Sequence, residues 1–295
     1  MRLSYWLSVL ASVLPLALLS GRPLAAQENP YFVAYDHNLE EPGNLEIEYF
    51  STFGTQRGGN DFHSFWTEFE YGVEAWWTTE FYLDAQTTFA DSTLYSGFKW
   101  ENRFRVLKRE HPINPVLYAE FEDISGADKT LKEVVGHDVE ADYGTPNALA
   151  RADSAREIEL KLILSSNTRG WNFSENIISE KNLSNQPWEF GYALAASRPL
   201  SLKASARRCS FCRQNFIVGA EMYGGLGDRH SFGLRDTSHY LAPVGGWNLP
   251  NGWTLRLSPG FGLNGNSHRF LLRWGVSREI NGFDQLVRRA FGGKP

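Results

Sequence analysis

Phe98-Lys99-Trp100-Glu101-Asn102-Arg103-Phe104-Arg105-Val106 sets an apolar residue against a charged one at all but one step. Successive side chains of a strand point to opposite faces, so a period of two marks an element with one greasy side and one charged side. Helical spacing does not account for the stretch. The same alternation recurs on both sides of it. Leu45-Glu46-Ile47-Glu48-Tyr49, Thr67-Glu68-Phe69-Glu70-Tyr71, Leu117 to Glu122 and Glu157-Ile158-Glu159-Leu160-Lys161-Leu162 all repeat it. Trp188, Phe190, Tyr192 and Leu194 share a face, as do Phe270, Leu272, Trp274 and Val276.

Turn-forming residues separate these runs: 54–60, 167–170, 197–199, Asn251-Gly252 and Asn264-Gly265-Asn266. Candidate strands fall near 44–54, 62–71, 75–86, 94–107, 114–123, 156–165, 170–178, 187–197, 200–207, 214–223, 235–244, 252–262 and 268–277. Most reach the roughly 9–11 residues that a tilted strand needs to cross an apolar layer. Thirteen is an odd count, and single-chain bacterial barrels close with an even one. One run is therefore split wrongly, or one is missed, with Tyr31–Tyr35 the candidate for the missing strand. The expected fold is all-β, a single antiparallel transmembrane barrel of about twelve strands, with fourteen as the next choice.

Composition agrees with that architecture. Aromatic residues make up 14% of the 295-residue chain, yet no run beyond the N-terminus is long enough for a spanning helix. At the N-terminus, a basic start at Arg2, an apolar run over Trp6–Leu19 and the small-residue exit Ala25-Ala26 have the three parts of a secretory signal peptide. Cleavage is expected after Ala26. Removing residues 1–26 takes away Arg2 and Arg22 and no acid, which moves the net charge from −5 to −7. That balance argues against nucleic-acid binding, which relies on clustered Lys and Arg. The expected organisation is a signal peptide over 1–26, a leader over 27–43, the barrel over 44–277 and a tail over 278–295. The long insert 124–155 would carry a short helix near Lys129–Val135, and it would lie outside the cell if the N-terminus is periplasmic.

The two faces imply different surroundings. A charge facing lipid costs up to about 2–4 kcal/mol at the bilayer midplane, and several per strand would exceed the roughly 5–15 kcal/mol net stability of a typical domain. The charged face is therefore expected to line the lumen. It comprises Glu46, Glu48, Glu68, Glu70, Lys99, Glu101, Arg103, Arg105, Glu120, Glu122, Glu157, Glu159, Lys161, Arg256 and Arg273, accompanied by Glu80, Asp84, Glu189, Glu221, Lys203 and Arg269. Mixed signs at this density suggest salt-bridged ladders across neighbouring strands. Structural packing of the interior, a selective polar pore and a binding site remain open as readings of that face. Tyr49, Phe69, Tyr71, Phe81, Trp100, Phe104, Trp171, Trp188, Trp253 and Trp274 fall on the outer face, where lipid of the outer membrane would be the partner. The competing view places those aromatics in the core of a soluble β-sandwich.

Chemistry-bearing motifs are few. Cys209-Ser210-Phe211-Cys212 is the one Cys pair, and export favours its oxidation to a small loop disulfide. A single CxxC is too few ligands for a zinc site. His230-Ser231, Ser238-His239 and Ser267-His268 are sequence neighbours, but neighbours on a strand point apart, so adjacency is not triad geometry. An outer-membrane hydrolase using a rim His and Ser stays as the alternative, to be tested by His239→Ala and His268→Ala. Gly224-Gly225-Leu226-Gly227 is no phosphate loop, since no helical pattern follows it. No cofactor, metal or catalytic residue is expected.

Five motifs in the second half carry a resemblance. They are Trp188-Glu189-Phe190-Gly191-Tyr192-Ala193-Leu194, Val218-Gly219-Ala220-Glu221-Met222-Tyr223-Gly224, His239-Tyr240-Leu241-Ala242-Pro243-Val244, Pro259-Gly260-Phe261-Gly262-Leu263 and Leu271-Leu272-Arg273-Trp274-Gly275-Val276. Together they resemble a broad group of bacterial outer-membrane barrels of transporter type, including the phenol-degradation MetA-pathway family. The resemblance implies an outer-membrane location and passage of small solutes, and it carries over no catalytic residue. Such barrels often end on a terminal aromatic that serves as an assembly signal, whereas this chain continues past Phe283 and Phe291 to Gly292-Gly293-Lys294-Pro295.

Overall fold

The computed structural model describes residues 29–55, 61–128, 135–137, 145–184, 186–203 and 209–292. The signal peptide, its cleavage site and most of the helix expected near 129–135 lie outside those residues.

Alternation produces strands wherever one face is apolar and the other polar. In chain order they are β1 (Leu45–Thr55), β2 (Phe62–Glu74), β3 (Trp77–Thr88), β4 (Thr93–Arg105), β5 (Asn114–Ser125), β6 (Ser154–Thr168), β7 (Trp171–Asn182), β8 (Trp188–Pro199), β9 (Phe216–Asp228), β10 (His239–Asn248), β11 (Trp253–Gly262) and β12 (Phe270–Ile280). Each strand pairs antiparallel with its sequence neighbours, and β1 pairs with β12, which closes a twelve-stranded barrel. Closure leaves no sheet edge, so every strand has its backbone groups engaged on both sides, as a spanning sheet requires. The sheet is a single closed layer, not the two packed layers of a sandwich.

The thirteenth expected strand, 200–207, does not form among its described residues. Leu200, Leu202 and Lys203 are bends. The apparent alternation of Leu200 and Leu202 serves a loop instead, with Leu202 lying over Gly170 of the β6–β7 turn. Nor is Tyr31–Tyr35 a strand, because its amides bond to side chains and so build no ladder. β10 starts at His239, four residues later than expected, and β12 continues three residues into the expected tail.

Both described ends of the chain lie at one opening, the terminal mouth. There the β6–β7 turn is two residues, Arg169 and Gly170, both with positive φ (52° and 81°), which suits the right-handed twist of the flanking strands. The long insert between β5 and β6 lies at the opposite, distal mouth. Its one described helix is the single turn α1 (Asn147–Ala150), away from the expected position. A second helix, α2 (Phe283–Ala290), follows β12, and the Gly282 amide before it donates to Asn44 Oδ1 at 2.9 Å.

Outside, the wall presents Phe81, Trp100, Leu117, Leu160, Ile177, Leu194, Leu257 and Trp274, all exposed. Trp171, Trp188 and Trp253 stand at the first positions of their strands. Charged groups on this face keep to strand ends: Asp123 pairs with Arg156 at 3.1 Å near the distal mouth, and Glu175 reaches farthest inward, four residues from the start of β7. Ile177 sits at mid-height of β7 and is 56% exposed. Ile177→Arg is expected to destabilise the barrel in lipid by about 2–4 kcal/mol, the cost of a midplane charge, read as a lower denaturant midpoint in vesicles. An unchanged midpoint would mean that this face does not meet hydrocarbon.

Candidate functional site

The inner face divides into two unlike halves. Over β1 to β6 it is charged, and over β8 to β11 it is largely small and apolar, with Ala193, Ala195, Ala242 and Val244 buried there.

On the charged half, strand register brings carboxylates into line. Glu279 lies opposite Glu46, Glu46 opposite Glu70, and Glu70 opposite Glu80. The row continues through Glu101, Glu120, Glu159 and Glu180 to Glu189. It thus runs over nine consecutive strands, from β12 round to β8. Because the strands tilt, as barrel closure demands, the row climbs. Glu46 is one residue from the terminal-mouth end of β1, whereas Glu189 is one residue from the distal-mouth end of β8.

Cations flank the middle of this row. Arg103 sits among Glu70, Glu80 and Glu101: its Nη2 is 2.6 Å from Glu70 Oε1, and its Nε is 2.6 Å from Glu80 and 3.2 Å from Glu101. Lys99 Nζ is 2.9 Å from Glu122 and 3.9 Å from Glu120. Lys161 Nζ is 2.6 Å from Glu159, with the Tyr118 ring 4.1 Å away. Arg256 pairs with Glu48, and Arg273 donates to the Tyr223 hydroxyl. Such pairs satisfy desolvated charges that would otherwise cost several kcal/mol each.

All fifteen residues of the expected charged face point inward: Glu68 and Glu157 are buried there, and Arg105 Nη2 donates to the His37 carbonyl at 3.0 Å. Glu80, Asp84, Glu189 and Glu221 share that side. Lys203 and Arg269 do not. Lys203 belongs to the loop after β8, and Arg269 precedes β12 as an exposed residue, so neither shares the strand periodicity that placed it with the others.

The lumen also holds a segment whose course periodicity could not show. From the terminal mouth, residues 29–43 fold into the barrel and turn at mid-height. The Phe32, Val33 and Ala34 amides all donate to the Glu221 carboxylate, at 2.7, 2.8 and 2.9 Å. Tyr35 N donates to Asn176 Oδ1 at 2.7 Å, and its hydroxyl to Glu101 at 3.0 Å. Tyr31 reaches Asn172 Oδ1 at 2.9 Å, and Ser197 Oγ donates to Asn29 at 2.9 Å, back near the terminal mouth. The small residues opposite make room, and Pro30 packs against Gly246. Burial raises both the Tyr31 and Tyr35 phenols above their ordinary range, which keeps them neutral hydrogen-bond donors.

From the distal mouth the β5–β6 insert also enters. Gln86 Nε2 donates to the Ala127 carbonyl at 2.9 Å, and Gly136 N to the Phe190 carbonyl at 3.2 Å. Gly136 has φ +73°, and the Gly136 carbonyl passes where a Cβ on Gly225 would sit, so this crossing needs glycine on both sides. Two cavities lie among the described residues. One of about 740 Å³ lies between the leader and the wall, lined in part by Glu46, Glu48, Glu68, Arg103, Arg105 and Arg256. The other, about 170 Å³, lies above the leader among Lys99, Glu120, Glu122, Glu159, Lys161 and Glu180.

The histidines do not assemble a nucleophile with its base at the three Ser–His neighbours. His239 Nε2 meets Thr237 Oγ1 at 2.8 Å and Nδ1 meets the Tyr192 hydroxyl at 3.1 Å. Ser267 Oγ is engaged by the His239 backbone, donating to its carbonyl at 2.8 Å and accepting from its amide. Cys209 and Cys212 are joined as a disulfide in the β8–β9 loop, where Trp247 Nε1 donates to the Ser210 carbonyl at 2.8 Å.

No protein-family model matches this chain, and no curated protein matches its sequence. Solved structures do resemble it. A KdgM porin matches with a TM-score of 0.48 at 10% identity, over 79% of this chain and 98% of the porin. The COG4313 outer membrane channel from Pseudomonas putida F1 matches with a TM-score of 0.53 at 11% identity, over 83% of this chain and 98% of the channel. The likeness to the COG4313 channel is one of fold, the closed antiparallel barrel.

Proposed function

We propose that the protein is an outer-membrane channel for small polar solutes, with the acidic wall of β1 to β6 as its pathway and residues 29–43 as an internal constriction. The observation that carries this reading is the cavity of about 740 Å³ beside the leader, walled by charged side chains inside a barrel with an apolar exterior. A barrel built for stability alone gains nothing from carboxylates brought into register, since like charges directly opposite destabilise a sheet. A solute path, in contrast, uses fixed charge to replace hydration. The motif resemblance to the MetA-pathway barrels supports the same reading, as does the fold of the structural relatives.

Cell fractionation and planar-bilayer recording test it together. The expected outcome is recovery of the folded protein with the outer membrane, heat-modifiable migration on gels, and discrete conductance steps on insertion. A folded barrel that inserts but never conducts overturns the pore.

A further inference from the structure

The carboxylate row outruns its cations. On β4 the inner positions flanking Glu101 hold Lys99 and Arg103, and on β6 Lys161 follows Glu159, but on β5 they hold Tyr118 and Glu122, and on β7 the inner residues on either side of Glu180 are Ile178 and Asn182. Asn182 is already committed, donating to Glu157 Oε1 at 2.8 Å. Glu180 is only 6% exposed, and among the described residues it has neither a hydrogen-bond donor nor a cation as partner. Its direct neighbours on the adjacent strands are both carboxylates, Glu159 on β6 and Glu189 on β8. A carboxylate buried to this degree without compensation costs several kcal/mol.

Glu180 lines the same cavity of about 170 Å³ as Glu120, Glu122 and Glu159. Carboxylate oxygens of those three lie within 4.8 Å of one another. That span is about twice the 2.3–2.6 Å between a calcium ion and an oxygen ligand, so the three can contact one ion. Asp84 and Asp128 line the same cavity, and against its six carboxylates stand three cations, Lys99, Lys161 and Arg273, which leaves an excess of three negative charges. A hard divalent cation offsets most of that excess. The donor set is entirely oxygen, which suits Ca²⁺ or Mg²⁺ and not a soft transition metal.

We propose that this upper cavity is a binding site for a hard divalent metal ion, held by Glu120, Glu122 and Glu159 with Glu180 as the added charge that the protein's own cations leave unbalanced. The site requires no open pore, so its test is separate from conduction. The full-length folded barrel, dialysed against EDTA in detergent, is titrated with Ca²⁺ and separately with Mg²⁺ by calorimetry. One equivalent should bind, and Glu180→Gln should weaken it about tenfold or more, as loss of a group that tunes a metal site does. Glu159→Gln is the second variant, and Asp236→Asn, in the exposed loop before β10, should leave the affinity within about twofold, as an independent site should. Heat-modifiable migration verifies that each variant is folded. Failure of the wild-type barrel to bind either ion at millimolar concentration overturns the proposal, as does wild-type affinity in both Glu180→Gln and Glu159→Gln.

Discussion

Glu221→Ala is expected to raise the single-channel conductance several-fold by releasing the leader from the lumen. One carboxylate on β9 accepts the amides of three consecutive residues, Phe32, Val33 and Ala34. Hydrogen bonds to a charged group contribute about 1.5–3 kcal/mol each, so the anchor supplies about 4 kcal/mol or more. Against it stands the ordering of the leader, at roughly 1–2 kcal/mol per residue of backbone entropy. Among the other contacts, Tyr31 with Asn172 and Tyr35 N with Asn176 are neutral bonds near 1 kcal/mol apiece, while the Tyr35 hydroxyl donates to Glu101 and Arg105 donates to the His37 carbonyl. Loss of about 4 kcal/mol shifts the docked-to-released ratio by roughly a thousandfold. Planar-bilayer recording of wild type and Glu221→Ala measures the effect. Equal conductance would show that the leader does not gate the passage.

The second large effect is on stability. Arg103→Met removes the cation shared by Glu70, Glu80 and Glu101, all buried. Breaking a buried pair by deleting one partner costs about 3–5 kcal/mol, because the survivors stay desolvated without compensation. Here three carboxylates are stranded at once, which places Arg103→Met at the upper end of that range or above it. Glu80→Gln in the same chain should recover part of the loss, since a neutral amide no longer needs the guanidinium. The denaturant midpoint of the heat-modifiable form reports both. Arg103→Met at wild-type stability, or no gain from the second change, would rule out this account of the cluster.

How much of this could be seen in the sequence follows from what alternation encodes. A period of two reports which face a residue takes, and it placed Glu46, Glu101, Arg103 and Lys161 on the inner side with no knowledge of their partners. It does not report stagger between strands, so the alignment of Glu101 with Glu120 and Glu159 into a climbing row appears only with the register. It is also blind to segments that bond through side chains. Phe32 to Ala34 have no ladder partner, and their anchor, Glu221, lies 187 residues or more away in the chain. A dense aromatic group ahead of the first clean strand, with no alternation of its own, was the one available signal. The opposite error occurred at Leu200 and Leu202, where two leucines spaced as in a strand pack on a turn.

The staggered placement of the acidic residues has a consequence for any ion that passes. Each strand from β12 to β8 contributes one carboxylate at its own depth, so the charge forms a winding stair and not a collar at one height. A collar discriminates at a single plane and is lost when that plane is neutralised. A stair hands an ion from tread to tread around most of the circumference, and removing one tread lengthens one step while the others remain.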